Sequence, residues 1–176
     1  MKWLKYGAIG LFSLLALAVV VLLVMGRRQG AGETSVTVEI NKPPAVVWTW
    51  LEDKDKFKQW VSWTVDVKDE GPNGVGGKRR VSMRDPNMDN QIIHIDTVTA
   101  EYQHPTHIRV NMSSAIGFDG YVTYDLVDLG GRTRLTQFGK FTYSDWFANL
   151  LEPLVTPQAK AKDEADLATL KRLAEQ

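Results

Sequence analysis

The stretch that most constrains this chain is its last one, Thr156 to Gln176. Thr156-Pro157 reads as an N-cap followed by proline at the first helical position, where the missing N–H costs nothing and φ is already set. Beyond Pro157 there is no Gly or Pro, and good helix formers dominate, which predicts a closing helix of about five turns. Leu167, Leu170, Leu173 and Ala174 recur at steps of three and four and make an apolar stripe, whereas the earlier turns offer only Ala159, Ala161, Ala165 and Ala168. So narrow a stripe cannot stand alone. Nearly everything between residues 34 and 143 reads as strand, so the helix is expected to lie on a sheet that the rest of the chain builds.

Ser35 to Ile40 alternates polar and apolar with β-branched residues, as a half-buried strand does, and Lys42-Pro43-Pro44 ends it. Two short helical turns follow, Ala45 to Leu51 and Lys54 to Trp60. Four tryptophans fall between positions 48 and 63. They could form an aromatic ligand box, but core packing under a helical connection is the default for such a cluster. From Thr64 onward, turn signals punctuate β-rich runs as in an antiparallel meander. The expected strands are Thr64–Asp69, Lys78–Met83, Gln91–Ala100, Thr106–Met112, Phe118–Val127 and Arg132–Thr142. Ser144 can cap a short helix from Asp145 to Leu151, which Pro153 and Pro157 would separate from the closing helix. The fold class is therefore α+β.

Tyr6 to Met25 is twenty residues without a charge. At about 1.5 Å per residue it spans roughly 30 Å, the thickness of a bilayer's hydrocarbon core. A cleavable signal peptide is the alternative, but the run exceeds a usual apolar core and Gln29-Gly30-Ala31 is a poor cleavage site. The expectation is an uncleaved single-pass anchor over residues 1–28, a linker over 29–34 and one domain over 35–176. Lys2 and Lys5 on one side face Arg27 and Arg28 on the other, and the amino-terminal charge places the N-terminus inside and the body outside the cytoplasm. No acid precedes Glu33, so residues 33–176 carry 17 basic against 21 acidic residues (21 − 4 = 17), a formal charge of −4. That weighs against phosphate-backbone binding, which needs a positive face, so no nucleic-acid partner is expected. With no cysteine, disulfides, thiolate metal sites and a cysteine nucleophile are excluded.

Several segments resemble one family. Ile40-Asn41-Lys42-Pro43-Pro44-Ala45-Val46-Val47-Trp48, the Trp60/Trp63 pair, Gly74-Val75-Gly76, Gly131 to Thr136 and Leu167 to Glu175 are similar to polyketide cyclase/dehydrase-type members of the START-like SRPBCC superfamily. The likeness covers residues 35 to 176, and an N-terminal membrane helix is similar to many bacterial members, so a bacterial inner membrane is the expected location. The resemblance implies a helix-grip fold: a curved seven-stranded antiparallel sheet around a long C-terminal helix, with an apolar cavity between them. It implies ligands that are lipids, hormones, polyketides or other apolar molecules. It supplies no catalytic motif, and no cofactor is expected.

Other chemistry is weakly written. Gly77-Lys78 after a glycine-rich run imitates a phosphate loop, but Pro72 stands where a glycine is required and Arg79 where Ser or Thr would hold magnesium. Asp85, Asn87, Asp89 and Asp96 imitate a calcium loop, yet Asn90 replaces the turn glycine and Gln91 to Asp96 reads as strand, so no metal is expected. His104 and His107 read as solvated loop histidines. His94 and Asp96, two apart on one strand face, could serve as an oriented base if that face is concave. No serine nucleophile elbow is present.

Alternation selects the inner face. Val122, Tyr124 and Leu126 on one strand, and Leu135, Gln137, Gly139 and Phe141 on the next, should point inward, joined by Val81 and Met83. Ala161, Ala165 and Ala168 are expected to line the helix side, their small side chains leaving room. Tyr124 and Gln137 are the polar groups expected to meet a ligand, or else to sit in a filled core. The functional expectation is a membrane-anchored domain that binds a small apolar or lipid-like molecule. The alternatives are a cyclase or dehydratase using His94, Asp96 or Tyr124, and a scaffold with a filled core.

Overall fold

A computed structural model describes residues 2–26, 29–86, 89–144 and 146–176. The chain runs α1 (Lys2–Met25), β1 (Glu33–Ile40), α2 (Pro44–Glu52), α3 (Lys54–Trp60), β2 (Thr64–Glu70), β3 (Lys78–Asp85), β4 (Gln91–Gln103), β5 (His107–Ser114), β6 (Phe118–Asp128), β7 (Thr133–Tyr143) and α4 (Trp146–Ala174). The strands form one antiparallel sheet in the order β1-β7-β6-β5-β4-β3-β2. Because β1 pairs with β7 while β2 lies at the far edge, α2 and α3 must carry the chain across the sheet. They end one side of the groove that α4 fills. This is the expected helix-grip arrangement of a curved sheet and a C-terminal helix.

Local chemistry explains the breaks. Pro44 opens α2 at a position where no N–H is needed. Asp53 separates α2 from α3 and caps the latter, its Oδ1 accepting from the backbone N–H of Asp55 at 2.8 Å and of Lys56 at 3.1 Å. Register shifts between Thr64 and Asp66 and between Thr99 and Glu101 insert extra residues into β2 and β4, and such bulges increase local twist and bend.

The core has two parts. Under α2, α3 and the end of α4, Ile40, Val47, Trp48, Trp60, Leu126, Leu135, Leu167 and Leu170 are buried together. Val67, Val81, Met83 and Ile95 form a second cluster on the β2–β4 side of the sheet. Trp48 and Trp60 thus serve as core, as expected, while Trp63 remains 39% exposed.

Two expectations are corrected. First, α4 is one helix from Trp146, with Pro153 and Pro157 inside it, rather than a short helix and a separate closing one. Thr156 is no N-cap: its hydroxyl donates to Glu152 Oε1 at 2.7 Å. Each internal proline removes a backbone bond, and burial of Leu150, Glu152 and Pro153 holds this turn against the body. Glu152 also accepts from the Gly32 N–H at 2.7 Å. Asp145, the expected first residue of the short helix, lies outside the described residues. Second, His107 is no solvated loop residue but sits in β5 between two carboxylates, whereas His104 is exposed in the turn, edge-on to Trp48. The calcium-like loop does not gather its carboxylates. Asp96 pairs with Arg80 at 2.6 Å, and among the described residues no cluster could hold a metal; Asn87 lies outside them.

Among the described residues no helix is long and apolar enough to cross a membrane. The side chains of α1 are described without interruption only from Ile9, so the described run is shorter than the twenty residues read from the sequence. Arg27 and Arg28, half of the charge argument for orientation, lie outside the described residues.

Candidate functional site

The two core clusters do not meet all along the groove. Toward its end, α4 packs Leu167, Leu170 and Ala174 against the sheet. One and two turns earlier the same helical face presents Asp166, Asp163 and Ala159, side chains too short to reach Val81, Met83 and Ile95 opposite. A cavity of about 370 Å³ remains between helix and sheet, within the size range of small-molecule sites.

Its walls are largely apolar. Val81 and Met83 come from β3, Ile93 and Ile95 from β4, Val110 and Met112 from β5, and Phe118 and Val122 from β6, with Phe141 on β7. Phe57, Trp60 and Trp63 close the α3 end, and the Gly71–Gly74 turn borders it. Tyr102 and Glu52 meet at this end, the tyrosine hydroxyl donating to Glu52 Oε1 at 2.6 Å. Arg79 braces the same corner by donating to Glu52 O at 2.6 Å, Leu51 O at 3.2 Å and Asp69 Oδ1 at 2.6 Å.

One wall is polar. Tyr124 and Gln137 face each other across the β6–β7 register, and Lys162, Asp163 and Asp166 line the helix opposite. Asp166 is held by Lys162 Nζ at 2.6 Å and by the Ser62 N–H at 3.1 Å. Asp163 Oδ2 accepts from Thr34 Oγ1 at 2.9 Å, and the nearby Gln137 side chain also favours its charged form. Burial nevertheless dominates and raises the Asp163 carboxyl above the usual carboxylate range, with Asp166 adding to the rise. Tyr124 is pushed far up, first by burial and then by the charges of Asp163 and Asp166, so its hydroxyl stays a neutral O–H donor.

The chain matches the model of the family described as polyketide cyclase/dehydrase and lipid transport over residues 31–175. It belongs to that family. The solved structures agree on the fold. The Zhui aromatase/cyclase from Streptomyces sp. R1128 superposes with a TM-score of 0.68 at 16% identity, covering 81% of this chain and 93% of the other. A protein from Thermus thermophilus gives 0.68 at 16% identity, covering 81% and 96%. A protein from Arthrobacter aurescens gives 0.59 at 21% identity, covering 81% and 87%. No curated protein matches the chain.

For a member of this family the expected site residues fall into three groups. Val81, Met83, Val122, Tyr124, Gln137 and Phe141 do line the cavity. Leu135 faces inward but is fully buried in the main core with Leu167 and Leu170, outside the cavity wall. Ala161, Ala165 and Ala168 are turned outward and exposed, because the stripe set by Leu167 and Leu170 projects back onto Ala159 and Asp163 instead. His94 and Asp96 are exposed on the outer face of the sheet. There His94 Nδ1 shares a 3.0 Å hydrogen bond with Ser82 Oγ, while Ile93, Ile95 and Thr97 take the inner positions. Lys162, Asp163 and Asp166 were not anticipated. Their signal was available, since they precede Leu167 and Leu170 at helical steps, but acidic residues on a charged helix read as a solvated face.

Proposed function

We propose that this family member binds a small amphipathic molecule in the cavity between sheet and α4, its apolar body against Val81, Met83, Ile95 and Phe141 and its polar end at the Tyr124–Gln137–Asp163 wall. The cavity itself carries the reading: about 370 Å³ of space with one polar wall is a poor outcome for a scaffold, whose packed core leaves few voids larger than a water. The domain arrangement belongs to the same proposal, with residues 1–28 as membrane anchor, the expected 29–34 linker shortened to 29–32 because Glu33 and Thr34 belong to β1, and the remainder as the binding domain outside the cytoplasm. What supports the anchor is α1, a helix of 24 residues on which Phe12, Leu14, Leu17 and Val24 are 76, 66, 60 and 67% exposed. Each such side chain left in water forgoes about 1.5–3 kcal/mol, a cost that a bilayer removes. A lipid-like ligand would then reside at the surface that holds its binder.

Native mass spectrometry of the full chain from its own host in mild detergent, with lipid extraction, tests the binding reading. A stoichiometric co-purifying apolar molecule is expected, and a clean apo mass in repeated preparations would count against it. Retention in the membrane pellet after alkaline washing, with the body open to protease added outside the cell membrane, tests the anchor and its sidedness.

A second reading is an enzyme, favoured by the juxtaposition of a buried carboxyl and a neutral phenol on one wall, Asp163 and Tyr124, which suits general acid–base work on an enolisable ketone. Likeness to an aromatase/cyclase at 16% identity speaks only for the shared fold. Turnover of a poly-ketone that vanishes in Asp163→Asn and Tyr124→Phe would support it, and turnover unchanged in both would remove it.

A further inference from the structure

Resting on the proposed anchor, the packing at the end of α1 says which end of the body meets the bilayer. α1 stops at Met25, and the Gly26 N–H still donates to Leu22 O at 2.9 Å. Gly26 lies so close to α4 that a Cβ there would stand 2.6 Å from the Asn149 carbonyl oxygen. Asn149 Nδ2 in turn donates to Tyr143 O at 2.8 Å. The next residue, Ser144, joins the end of β7 to the β5–β6 turn, its N–H donating to Gly117 O at 3.0 Å. On the other side of the linker, Gly32 is held by Glu152 Oε1 at 2.7 Å and by the Phe141 N–H at 3.0 Å. The first turns of α4 and the β5–β6 turn are therefore held beside the point where the chain leaves α1.

Apolar side chains are exposed at this place. Ile116, in the β5–β6 turn, is 52% exposed, and Leu154 and Val155, between one and two turns beyond Asn149 on α4, are 55 and 39% exposed. A single exposed apolar residue needs no explanation, but three gathered at the end of an apolar helix mark an interaction surface. The charges there do not suit an electrostatic attachment to anionic lipid: Lys140 is paired with Glu33 at 2.9 Å, and Asp119, beside the turn, is exposed. The cavity reaches the same end, because Phe118 and Tyr143 are paired in the β6–β7 register and both line it. Its opposite end is bordered by the exposed Asp69 and Glu70. We infer that this end of the body is a docking surface for a zwitterionic bilayer: Ile116, Leu154 and Val155 enter the lipid interface beside α1, and the Phe118–Tyr143 end of the cavity faces the membrane. An apolar ligand then passes between bilayer and cavity with little exposure to water, while the Asp69 end stays in solvent.

Because the chain has no cysteine, a single one can be introduced and labelled with a fluorophore. The full chain carrying Leu14→Cys, Ile116→Cys, Leu154→Cys, Val75→Cys or Val127→Cys is placed in phosphatidylcholine nanodiscs, with and without lipid that bears a spin-label quencher on its acyl chains. Leu14 lies midway along α1, whereas Val75 and Val127 are 64 and 52% exposed at the opposite end of the sheet. The label replacing Leu14 should lose its fluorescence most to a quencher near the chain middle. Those replacing Ile116 and Leu154 should lose theirs most to a quencher near the headgroup, the depth at which apolar side chains rest in an interface, and those replacing Val75 and Val127 should keep theirs. Quenching at Leu14 with none at Ile116 and Leu154 would overturn the docking surface and leave the anchor standing. Equal quenching at all four body positions would overturn it likewise, since the body would then present no particular end to the lipid. Absence of quenching at Leu14 would remove the anchor and this inference with it.

Discussion

The hydroxyl of Thr34 donates to Asp163 Oδ2 at 2.9 Å, so the start of the first strand is tied to the middle of the last helix, 129 residues later, through a carboxyl that burial works to neutralise. Two effects compete at this one atom. Burial raises the affinity of Asp163 for its proton, and Thr34, Lys162 and Gln137 oppose the rise without cancelling it. The folded chain therefore holds this proton more tightly than the unfolded chain does. Its contribution to stability is full below the ordinary value of 3.8 and is lost as pH rises through the higher folded value.

Thr34→Val removes the hydrogen bond and keeps the shape. It should destabilise the fold by about 2 kcal/mol at neutral pH, the range for a bond to a charged group, and by less in acid. Asp163→Asn should gain on the wild type in urea midpoint as pH rises from below 3.8 to neutrality. Parallel pH profiles for wild type and Asp163→Asn would show that this carboxyl is not buried as described.

Ala159 and Ala161 separate the inner from the outer face of α4. Ala159 lines the cavity and Ala161 is exposed, so Ala159→Phe should fill the space and weaken binding of the co-purifying apolar ligand by about tenfold or more, a loss of about 1.4 kcal/mol. Ala161→Phe should leave binding intact and stability within about 0.5 kcal/mol, as for most surface substitutions. The reverse pattern would restore the alanine-lined helix face expected from the sequence alone.

That pair also shows what the sequence held. Turn residues and alternation sufficed for all seven strands and for the Tyr124–Gln137 pair, because a period of two leaves only one choice of face once Val122 and Leu126 are known to be buried. On β4 the same reasoning stalls, since Ile92 and Val98 are exposed while Ile93 and Ile95 line the cavity; apolar residues on both faces erase the signal, and His94 and Asp96 turn out to face outward. On α4 the phase was fixed by Leu167 and Leu170, but composition drew attention to the alanines rather than to Asp163. The continuity of α4 through Pro153 and Pro157 is a tertiary outcome. Burial of Leu150 and Glu152 against the body overrides a local preference to break.

His107 adds a second pH dependence on the outer face, of the same sign but carried by a charged rather than a neutral group. Its Nδ1 lies 2.6 Å from Asp125 Oδ1 and its Nε2 3.2 Å from Glu101 Oε2. The hydrogen bond to Asp125 raises its affinity for a proton, partial burial opposes, and Glu101 adds to the rise. The stabilisation is full below 6.5 and is lost as pH rises through the elevated folded value. His107→Gln should therefore be less stable than the wild type in mild acid and approach it in mild alkali. A constant difference in urea midpoint across that range would mean that folding leaves the affinity of this imidazole for its proton unchanged.

Trp63 stands at the cavity's end in a left-handed conformation, φ 68°, where a side chain costs about 1–2 kcal/mol. Its carbonyl accepts from the Arg84 N–H at 2.8 Å, which fixes the turn into the bulged strand β2, and Lys162 Nζ lies 5.2 Å from the ring centroid. The ring lines the cavity while 39% of the residue stays exposed. Trp63→Ala would lose the ring contacts and keep the backbone strain, whereas Trp63→Gly would lose the same contacts and relieve it. The glycine variant should therefore be the more stable of the two by about 1 kcal/mol, although glycine ordinarily costs more than alanine through chain entropy. Equal urea midpoints, or a more stable alanine variant, would show that Trp63 is not held in the left-handed region, and the cavity's end would then be shaped by the ring alone.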